Sequence, residues 1–419
     1  MTDADSLARR VREGDLRLHE LEDHADHDTA ASARRQLLEA DTDADLEAIG
    51  SYGFDAEAAE SAIENMIGAA QIPMGVTGPV SIDGGAASGE YYLPLATTEG
   101  ALLASVNRGL SVLDDAGGVT ARVTKHGMTR APVFRVSGVA DAAETVEWVE
   151  TNGDRLAEAA EETTSHGEVI GIEPYVVGDS VFLRFAYDTK DAMGMNMATI
   201  ATEAACRVVE DETPASLVAL SGNLCSDKKP AAINAVEGRG RSVTADVVIP
   251  GELLEERLHT TAAAIVEANT RKNLIGSAKA GSLGFNAHAA NVVAAAFLAT
   301  GQDEAQVVEA ANAITTMDTR EREQAAEASE SGDSETVTDL YASVSLASLE
   351  VGTVGGGTKL PTQAEALDVV GVRGGGDPAG SNADTLAEVI AAGALAGELS
   401  LLAALASNHL ASAHEDLGR

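Results

Sequence analysis

The longest apolar stretch of the chain runs from Leu386 to Ala406 and contains two carboxylates, Glu388 and Glu398. Its length approaches that of a membrane-spanning helix, but the two glutamates favour an amphipathic helix buried inside a protein. Residues 288–299 and 384–413 carry the strongest helical patterns of the chain. With 419 residues, the protein can form two or three domains and a large core.

Acidic residues dominate the charge. The 67 aspartates and glutamates outnumber the 28 lysines and arginines, which leaves a formal net charge of −39. This charge repels nucleic acids and anionic membranes, so we expect neither as a partner. The acidity is spread along the chain and lysine is scarce, as in proteins of salt-loving organisms. We expect folding and activity to require molar salt, which screens the self-repulsion. Full activity and unchanged thermal stability in dilute buffer would contradict this expectation.

Two features of the sequence bear on the compartment. The chain contains two cysteines, Cys206 and Cys225, which are too few for a disulfide framework or a four-cysteine zinc site. The first residues, MTDADSLARRVREGD, are acidic and lack the apolar segment of a signal peptide. We therefore expect a soluble, cytoplasmic protein without a metal site.

Changes in residue pattern along the sequence predict three regions. Residues 1–66 are charged and helical in pattern, and residues 131–222 alternate strand and helix patterns, as in a compact α+β insert. The remaining residues, 67–130 and 223–419, are assigned to one large domain that becomes alanine-rich and mostly helical after residue 230.

Two local predictions concern the large domain. Thr97 is suited to the N-cap of a helix that ends at Gly109. The tract from Asp318 to Glu335 is polar and acidic, so we expect an exposed helix or loop there.

The segment SGNLCSDKKPAAINAVEGRGRS, residues 221–242, places Lys228 and Lys229 behind Asp227 among turn-forming residues. The chain has only seven lysines in all, so two adjacent ones are notable. Paired cations beside a carboxylate suit an anionic ligand or a carbonyl oxygen that gains negative charge. The alternative interpretation is a solvated basic loop.

Neither standard nucleotide fingerprint is present. The glycine-rich segment 352–359, GTVGGGTK, lacks the ending of a phosphate loop and the spacing of a dinucleotide fold. It suits close approach of a ligand to the backbone or, equally, a plain turn. The segment 191–197, DAMGMNM, offers methionines that pack around flat ligands, although methionines more often belong to a core.

Three isolated titratable residues, Glu99, Asp303 and His414, are candidates for acid–base chemistry. Each has a plain alternative. Carboxylates at helix starts usually cap the helix, and a histidine near a C-terminus usually lies on the surface.

Together these segments resemble the biosynthetic class of 3-hydroxy-3-methylglutaryl-coenzyme A reductase, in a form similar to that of salt-loving archaea. The resemblance covers residues 64–414 and rests on the following blocks: ENMIGAAQIPMGVTGP, TTEGALLASVNRG, HGMTRAPV, DAMGMNM, SGNLCSDKKPAAINAVEGRG, KNLIGSAKAGSLGFNAHAANVVAAAFLATGQDEAQ, LEVGTVGGGTKLPTQ and ELSLLAALASNHLASAH.

The resemblance implies a role for each matching residue. The catalytic set is Glu99, Lys228, Asp303 and His414. The positions that bind the hydroxymethylglutaryl group or coenzyme A are Arg130, Ser221, Asp227, Lys229, Lys272, Ser105, Asn107, Arg108, His288 and Asn291. The positions that match the nicotinamide-cofactor segment are Asp191, Met193, Gly194, Met195 and Asn196, with Gly355 and Gly356 as weaker matches.

The resemblance also implies a reaction and an architecture. The thioester would be reduced to mevalonate in two hydride transfers from NADPH, with Lys228 stabilising the oxyanion and His414 protonating the coenzyme A thiolate. We expect an α+β fold: a small N-terminal helical region, a large domain around a long central helix, and an inserted ferredoxin-like cofactor domain that is no standard Rossmann fold. The active site would lie between the subunits of a homodimer, assembled as a homotetramer, and statin-type inhibitors would compete with substrate.

Two alternatives remain open. One is the degradative enzyme that oxidises mevalonate with NADH, which cofactor preference would distinguish. The other is a non-enzymatic acyl-coenzyme A binding protein, for which Lys228→Ala would barely matter.

Overall fold

The computed structural model describes residues 3–164, 166–324 and 335–407. Its ten strands form one continuous sheet. They are β1 (Met74–Gly84), β2 (Ser88–Ala96), β3 (Val119–Arg130), β4 (Val133–Arg135), β5 (Glu168–Val177), β6 (Ser180–Asp188), β7 (Ser216–Ala219), β8 (Gly240–Ile249), β9 (Ile314–Gln324) and β10 (Glu335–Leu349).

Helices surround this sheet and precede it. They are α1 (Ala4–Arg12), α2 (His27–Thr42), α3 (Glu47–Gly50), α4 (Leu102–Asp115), α5 (Val139–Thr151), α6 (Gly153–Glu161), α7 (Met195–Glu212), α8 (Ala232–Glu237), α9 (Gly251–Leu258), α10 (Ala262–Ala268), α11 (Ser277–Ala280), α12 (Ala289–Thr300), α13 (Val307–Ala310), α14 (Pro361–Val370) and α15 (Ser381–Ala406), with a π-helix at Asn269–Gly276.

The N-terminal segment is helical, as its pattern predicts. Asp3 and Asp26 cap α1 and α2, because each carboxylate accepts a 2.8 Å hydrogen bond from the backbone N–H three residues later. Leu7, Leu21 and Leu37 form a small core of their own between these helices. This region therefore has its own packing and does not supply residues to the main core.

Six strands form the sheet of the large domain in the order β2–β1–β3–β8–β10–β9. Neighbouring strands are antiparallel except for β1 and β3, which pair in parallel. This sheet packs against α15, α4, α10 and α12 to form the main hydrophobic core.

The insert has the strand order β7–β4–β6–β5, and all of its neighbouring strands are antiparallel. The chain order is strand, helix pair, strand, strand, helix, strand. This is the ferredoxin-like arrangement, so that prediction is confirmed. A standard Rossmann fold would require parallel strands, which the insert does not have.

The central helix α15 is buried on all sides. Its interior includes Glu388 and Glu398, both essentially inaccessible to solvent. The predicted burial of this helix is confirmed, but the helix is not amphipathic, because the glutamates accept backbone hydrogen bonds instead of facing water. Among the described residues α15 is the one helix long and apolar enough to cross a membrane, yet most of it lies inside the protein. A Cβ at Gly109 would collide with the backbone of Ala396, so glycine permits α4 to approach α15 closely.

Two local predictions are wrong, and a third is incomplete. Helices do cover more than half of the described residues after 230, but β8, β9 and β10 also lie there and build half of the large sheet. The acidic tract enters β9 as far as Gln324, where its polar side chains suit the outer strand of a sheet; residues 325–334 lie outside the described part. Helix α4 starts at Leu102 and continues past Gly109, while the Thr97 hydroxyl caps a turn by accepting a hydrogen bond from the Glu99 backbone.

Candidate active site

The first group of predicted residues surrounds the loop 221–230. It comprises Arg130, Ser221, Asp227, Lys228, Lys229 and Asp303, and is called here the Lys228 cluster. Lys228 Nζ lies 2.7 Å from Asp303 Oδ2. This hydrogen bond raises the pKa of Lys228 above its usual value, so the side chain stays cationic. In the single chain 43% of the Lys228 side chain is exposed to solvent.

The loop that carries Lys228 has an unusual backbone. Asn223, Ser226 and Lys228 all have positive φ, at 63°, 48° and 57°. Non-glycine residues seldom adopt this conformation, and where they do, it often marks a functional site. The Asn234 side chain donates a 3.0 Å hydrogen bond to the Ser226 carbonyl, and the Lys228 backbone N–H donates to Glu309. The loop is therefore held in shape by groups outside it.

A buried group of charges lies beneath the loop. The guanidinium of Arg239 contacts Asp227 at 3.1 Å, Glu309 at 3.3 Å and Glu350 at 3.0 Å. Burial raises the pKa of Glu309 and raises that of Glu350 well above its usual value. One cation thus faces three carboxyl groups, which favours a proton on Glu350.

The other members of the cluster lie at its edges. The Arg130 guanidinium donates to the Thr199 hydroxyl at 2.7 Å, on the first turns of α7. Lys229 Nζ donates to the Asp227 carbonyl at 2.9 Å. Ser221 is exposed, and the N–H of the next residue binds the strand segment that follows Arg130. Lys228 and Lys229 are therefore exposed cations on the loop, and Arg130 is a half-buried one held by α7.

The second group of predicted residues lies around the N-terminus of α12 and is called here the Glu99 cluster. It comprises Glu99, Ser105, Asn107, Arg108, Lys272, His288 and Asn291. Asn291 Nδ2 donates to Glu99 Oε2 at 2.9 Å. His288 and Asn291 lie one helical turn apart, as their spacing predicts.

A short segment of α15 organises this cluster. Ser400 Oγ lies 3.0 Å from Ser105 Oγ and accepts a 2.8 Å hydrogen bond from Arg108. The Gly397 carbonyl contacts His288 Nε2 at 2.8 Å. Beyond α15, Asn107 Oδ1 accepts from the Gly78 backbone. Lys272 is exposed on the π-helix, next to the buried Asn273.

The two clusters lie at opposite ends of α12. Asn291, which holds Glu99, is in its first turn, and Asp303, which holds Lys228, follows its last residue, Thr300. At 1.5 Å per residue, the helix separates Asn291 from Thr300 by about 14 Å. Within the described part of one chain, the ion pairs of Lys228 therefore include Asp303 but not Glu99.

The two predicted cofactor segments meet each other. Ala192 and Val354 form a parallel bridge, and the Thr353 N–H donates to the Asp191 carbonyl at 2.8 Å. The Asp191 carboxylate points elsewhere: it is buried and accepts hydrogen bonds from the backbone around the start of α15, including Gly380 at 2.7 Å. Its side chain holds the segment in place instead of offering a contact at the surface.

The remaining cofactor candidates surround the start of α7. Gly194 precedes this helix with a φ of 88°, and Met195 and Asn196 lie in its first turn, which contains no acidic residue. Met193 packs against the core of the insert. Gly355 and Gly356 have positive φ and open space where a side chain would be. His414 lies outside the described residues.

Several residues of this region were missed by sequence reasoning. Arg239, Glu309 and Glu350 support the Lys228 loop, and Glu398 and Ser400 support the Glu99 cluster. Glutamates inside a long apolar run were the available signal for Glu398. Nothing in the local sequence distinguished Glu309, because its partners come from distant segments.

Comparison with known proteins decides the family. The model of the hydroxymethylglutaryl-coenzyme A reductase family matches residues 30–419. The chain belongs to this family. The reductase is therefore an oxidoreductase, and its similarity to 3-hydroxy-3-methylglutaryl-coenzyme A reductases, predicted from the motifs, is confirmed.

Relatives from salt-loving archaea are the most informative. The 3-hydroxy-3-methylglutaryl-coenzyme A reductase of Haloferax volcanii is 73% identical over the full length of both chains. That of Halobacterium salinarum is 70% identical over 418 residues, covering all of this chain and 99% of the other. A class II reductase from Streptococcus pneumoniae, solved bound to NADPH, has a TM-score of 0.64 at 22% identity and covers 89% of this chain and 92% of that one. It shows that the fold is shared.

Proposed function

We propose that this reductase converts 3-hydroxy-3-methylglutaryl-coenzyme A to mevalonate and coenzyme A, with NADPH as reductant. The observation that carries the proposal is the Lys228–Asp303 pair on a strained loop beside Asp227 and Lys229. Asp303 keeps the ammonium group protonated, and a fixed cation stabilises the negative charge that develops on the thioester oxygen. The family relationship, at 73% identity, supports the same reaction.

The insert, residues 131–222, is the proposed cofactor domain. The N-terminus of the 18-residue helix α7 presents backbone N–H groups, which suit the phosphates of a dinucleotide. Gly355 and Gly356 leave room beside it. When bound, NADPH supplies the hydride for each of the two reductions.

Other residues of the chain are assigned to protons and to binding. We assign Glu99 to donate the proton in the reduction of mevaldehyde, and His414 to protonate the departing coenzyme A thiolate. His414→Gln should then preserve reduction of free mevaldehyde while slowing that of the thioester. Arg130, Ser221, Asp227 and Lys229 are assigned to the hydroxymethylglutaryl group, for which statin-type inhibitors would compete.

We further propose that the active site forms between two subunits of a homodimer, which can pair into a homotetramer. Glu99 and Lys228 are separated by the length of α12 within one chain. Both clusters are largely exposed at the surface of that chain. Two-fold pairing of chains can bring the Glu99 cluster of one onto the Lys228 cluster of the other.

Mixing two inactive variants tests this arrangement. Glu99→Gln and Lys228→Ala chains are each expected to be inactive, and together they should form heterodimers with one intact site. After unfolding and refolding as an equal mixture at high salt, activity should reach about a quarter of wild type, since half of the dimers then carry one of two sites. A mixture no more active than its components would contradict the shared site.

One assay distinguishes the proposed biosynthetic reaction from the degradative reaction and from non-enzymatic binding of acyl-coenzyme A. Absorbance would follow the loss of NADPH or NADH with the hydroxymethylglutaryl thioester in molar salt. Preference for NADPH supports the biosynthetic reaction, whereas preference for NADH supports the degradative one. No turnover with either would support an acyl-coenzyme A binding protein. We place the enzyme in the cytoplasm, because the apolar helix α15 is buried in the protein core.

A further inference from the structure

Glu398 is a buried carboxylate without a cation. It is fully inaccessible, and no lysine or arginine in the described part of the chain forms an ion pair with it. Its oxygens accept hydrogen bonds from the backbone N–H groups of Ala287 at 2.6 Å and His288 at 2.7 Å, and from the Thr315 hydroxyl at 2.7 Å. Asn273 adds a longer contact at 3.5 Å. Donors on both oxygens compensate for the burial of this carboxylate.

Apart from Thr315 on β9, its partners belong to the elements that carry the Glu99 cluster. Ala287 and His288 directly precede α12, whose first turn contains Asn291, the partner of Glu99. Asn273 lies next to Lys272 on a π-helix, a distortion that occurs frequently at functional sites. One carboxylate therefore joins the helix that holds Glu99 to the helix that holds Lys272.

We propose that Glu398 is a positioning residue for the reductase reaction. It does not touch substrate. Its carboxylate fixes the start of α12 and thereby the positions of His288 and Asn291. It also holds the π-helix next to the start of α12. The inference rests on the proposed function, because it assigns these side chains to the thioester substrate.

The same helix contains a matched control. Glu388 is also buried and accepts backbone hydrogen bonds, from Gly85 at 2.9 Å, Ala86 at 3.0 Å and Ala87 at 2.7 Å. It lies ten residues from Glu398, or about 15 Å along α15. These three partners form the turn between β1 and β2, which carries no predicted site residue. A fourth, longer contact at 3.3 Å comes from the Val123 N–H on β3, seven residues before Arg130.

The test compares Glu398→Gln with Glu388→Gln. Each substitution replaces one carboxylate oxygen by an NH2 group that faces N–H donors, so both should lower the free energy of unfolding. Only Glu398→Gln should lower kcat/KM for the thioester, by about 10- to 100-fold, because small displacements of positioned groups are costly. The KM for NADPH should not change, since none of the hydrogen-bond partners of Glu398 belongs to the predicted cofactor segments.

A milder variant covers the case in which Glu398→Gln does not fold. Thr315→Val removes one hydrogen bond to Glu398 and should lower kcat/KM several-fold. Thr145→Val, a buried threonine bonded within its own helix α5, serves as its control. Equal losses of kcat/KM in the Glu398 and Glu388 variants, or in the two threonine variants, would overturn the positioning role. Absence of turnover in the wild type would instead contradict the proposed function.

Discussion

The Lys228 cluster and the Glu99 cluster are built in different ways. The Lys228 cluster lies on a loop in which three residues have positive φ angles. The buried charged side chains of Arg239 and Glu309 hold this loop in place. The Glu99 cluster lies on helix ends, and polar groups of one buried helix, α15, hold it. The first depends on ion pairs, and the second on hydrogen bonds to a rigid element.

This difference suits the two proposed tasks, stabilisation of charge by the Lys228 cluster and substrate binding with proton donation by the Glu99 cluster. A group that stabilises developing charge must keep its own charge, and the neighbouring Asp303 favours the protonated state of Lys228. Groups that bind substrate and donate a proton depend more on exact placement, which a buried helix provides. Substitutions in the two clusters should therefore impair catalysis in different ways.

The largest effect is expected for Lys228→Ala. Removal of the cation should reduce kcat by about 10³-fold, within the range for loss of one oxyanion-stabilising group. Steady-state assays in molar salt would measure it. Lys125→Ala, an exposed lysine paired with Glu237, is the control and should retain activity. A small loss in the Lys228 variant would exclude the proposed role.

The next effect is expected for Glu99→Gln. The amide can still accept the hydrogen bond from Asn291 but can no longer supply an acidic proton. Reduction of mevaldehyde should fall by about 10²-fold, the lower end of the range for loss of a general acid, with little change in KM. Stopped-flow or steady-state assays with free mevaldehyde would measure this step alone, and normal rates there would reject the assignment.

A shift in pH dependence is expected for Asp303→Asn. The hydrogen bond from Asp303 raises the pKa of Lys228, so its loss should lower that pKa. Activity that requires protonated Lys228 should then decline at a lower pH on the alkaline side of the profile. Asp368→Asn, which disrupts a surface pair with Arg373, should leave the profile unchanged. An unaltered alkaline limb in Asp303→Asn would contradict the pairing.

The smallest effect is a change in the stability of the protein with pH, caused by the buried Glu350 beneath the Lys228 loop. Burial raises the pKa of Glu350 well above its usual value, so the folded state retains a proton that the unfolded state releases as pH rises above about 4.5. Wild type therefore loses stability relative to Glu350→Gln as pH increases from there. The stability of the variant relative to wild type should therefore increase from acid to neutral pH. Denaturant unfolding at constant salt would detect it, and a pH-independent difference would refute it.

Local patterns predicted much of the fold. The helix at Ala289–Thr300, the core of α15 and the strands and helices of the insert follow from periodicity. The β9–β10 hairpin was missed because its first strand is too polar to resemble a strand, and pairing with β10 decides its conformation. The roles of Glu309 and Glu398 were missed for a similar reason, since each depends on partners far away in sequence.

The sequence by itself determined the family, the reaction class and the residue types required for the chemistry, because long ordered motifs retain these. Only the tertiary structure decided that Lys228 meets Asp303, that Glu99 meets Asn291 instead, and that the glutamates of α15 are buried acceptors. The physical reason is that hydrogen bonding and burial depend on distance in space, and residues as far as 303 positions apart, such as Gly85 and Glu388, become neighbours only on folding.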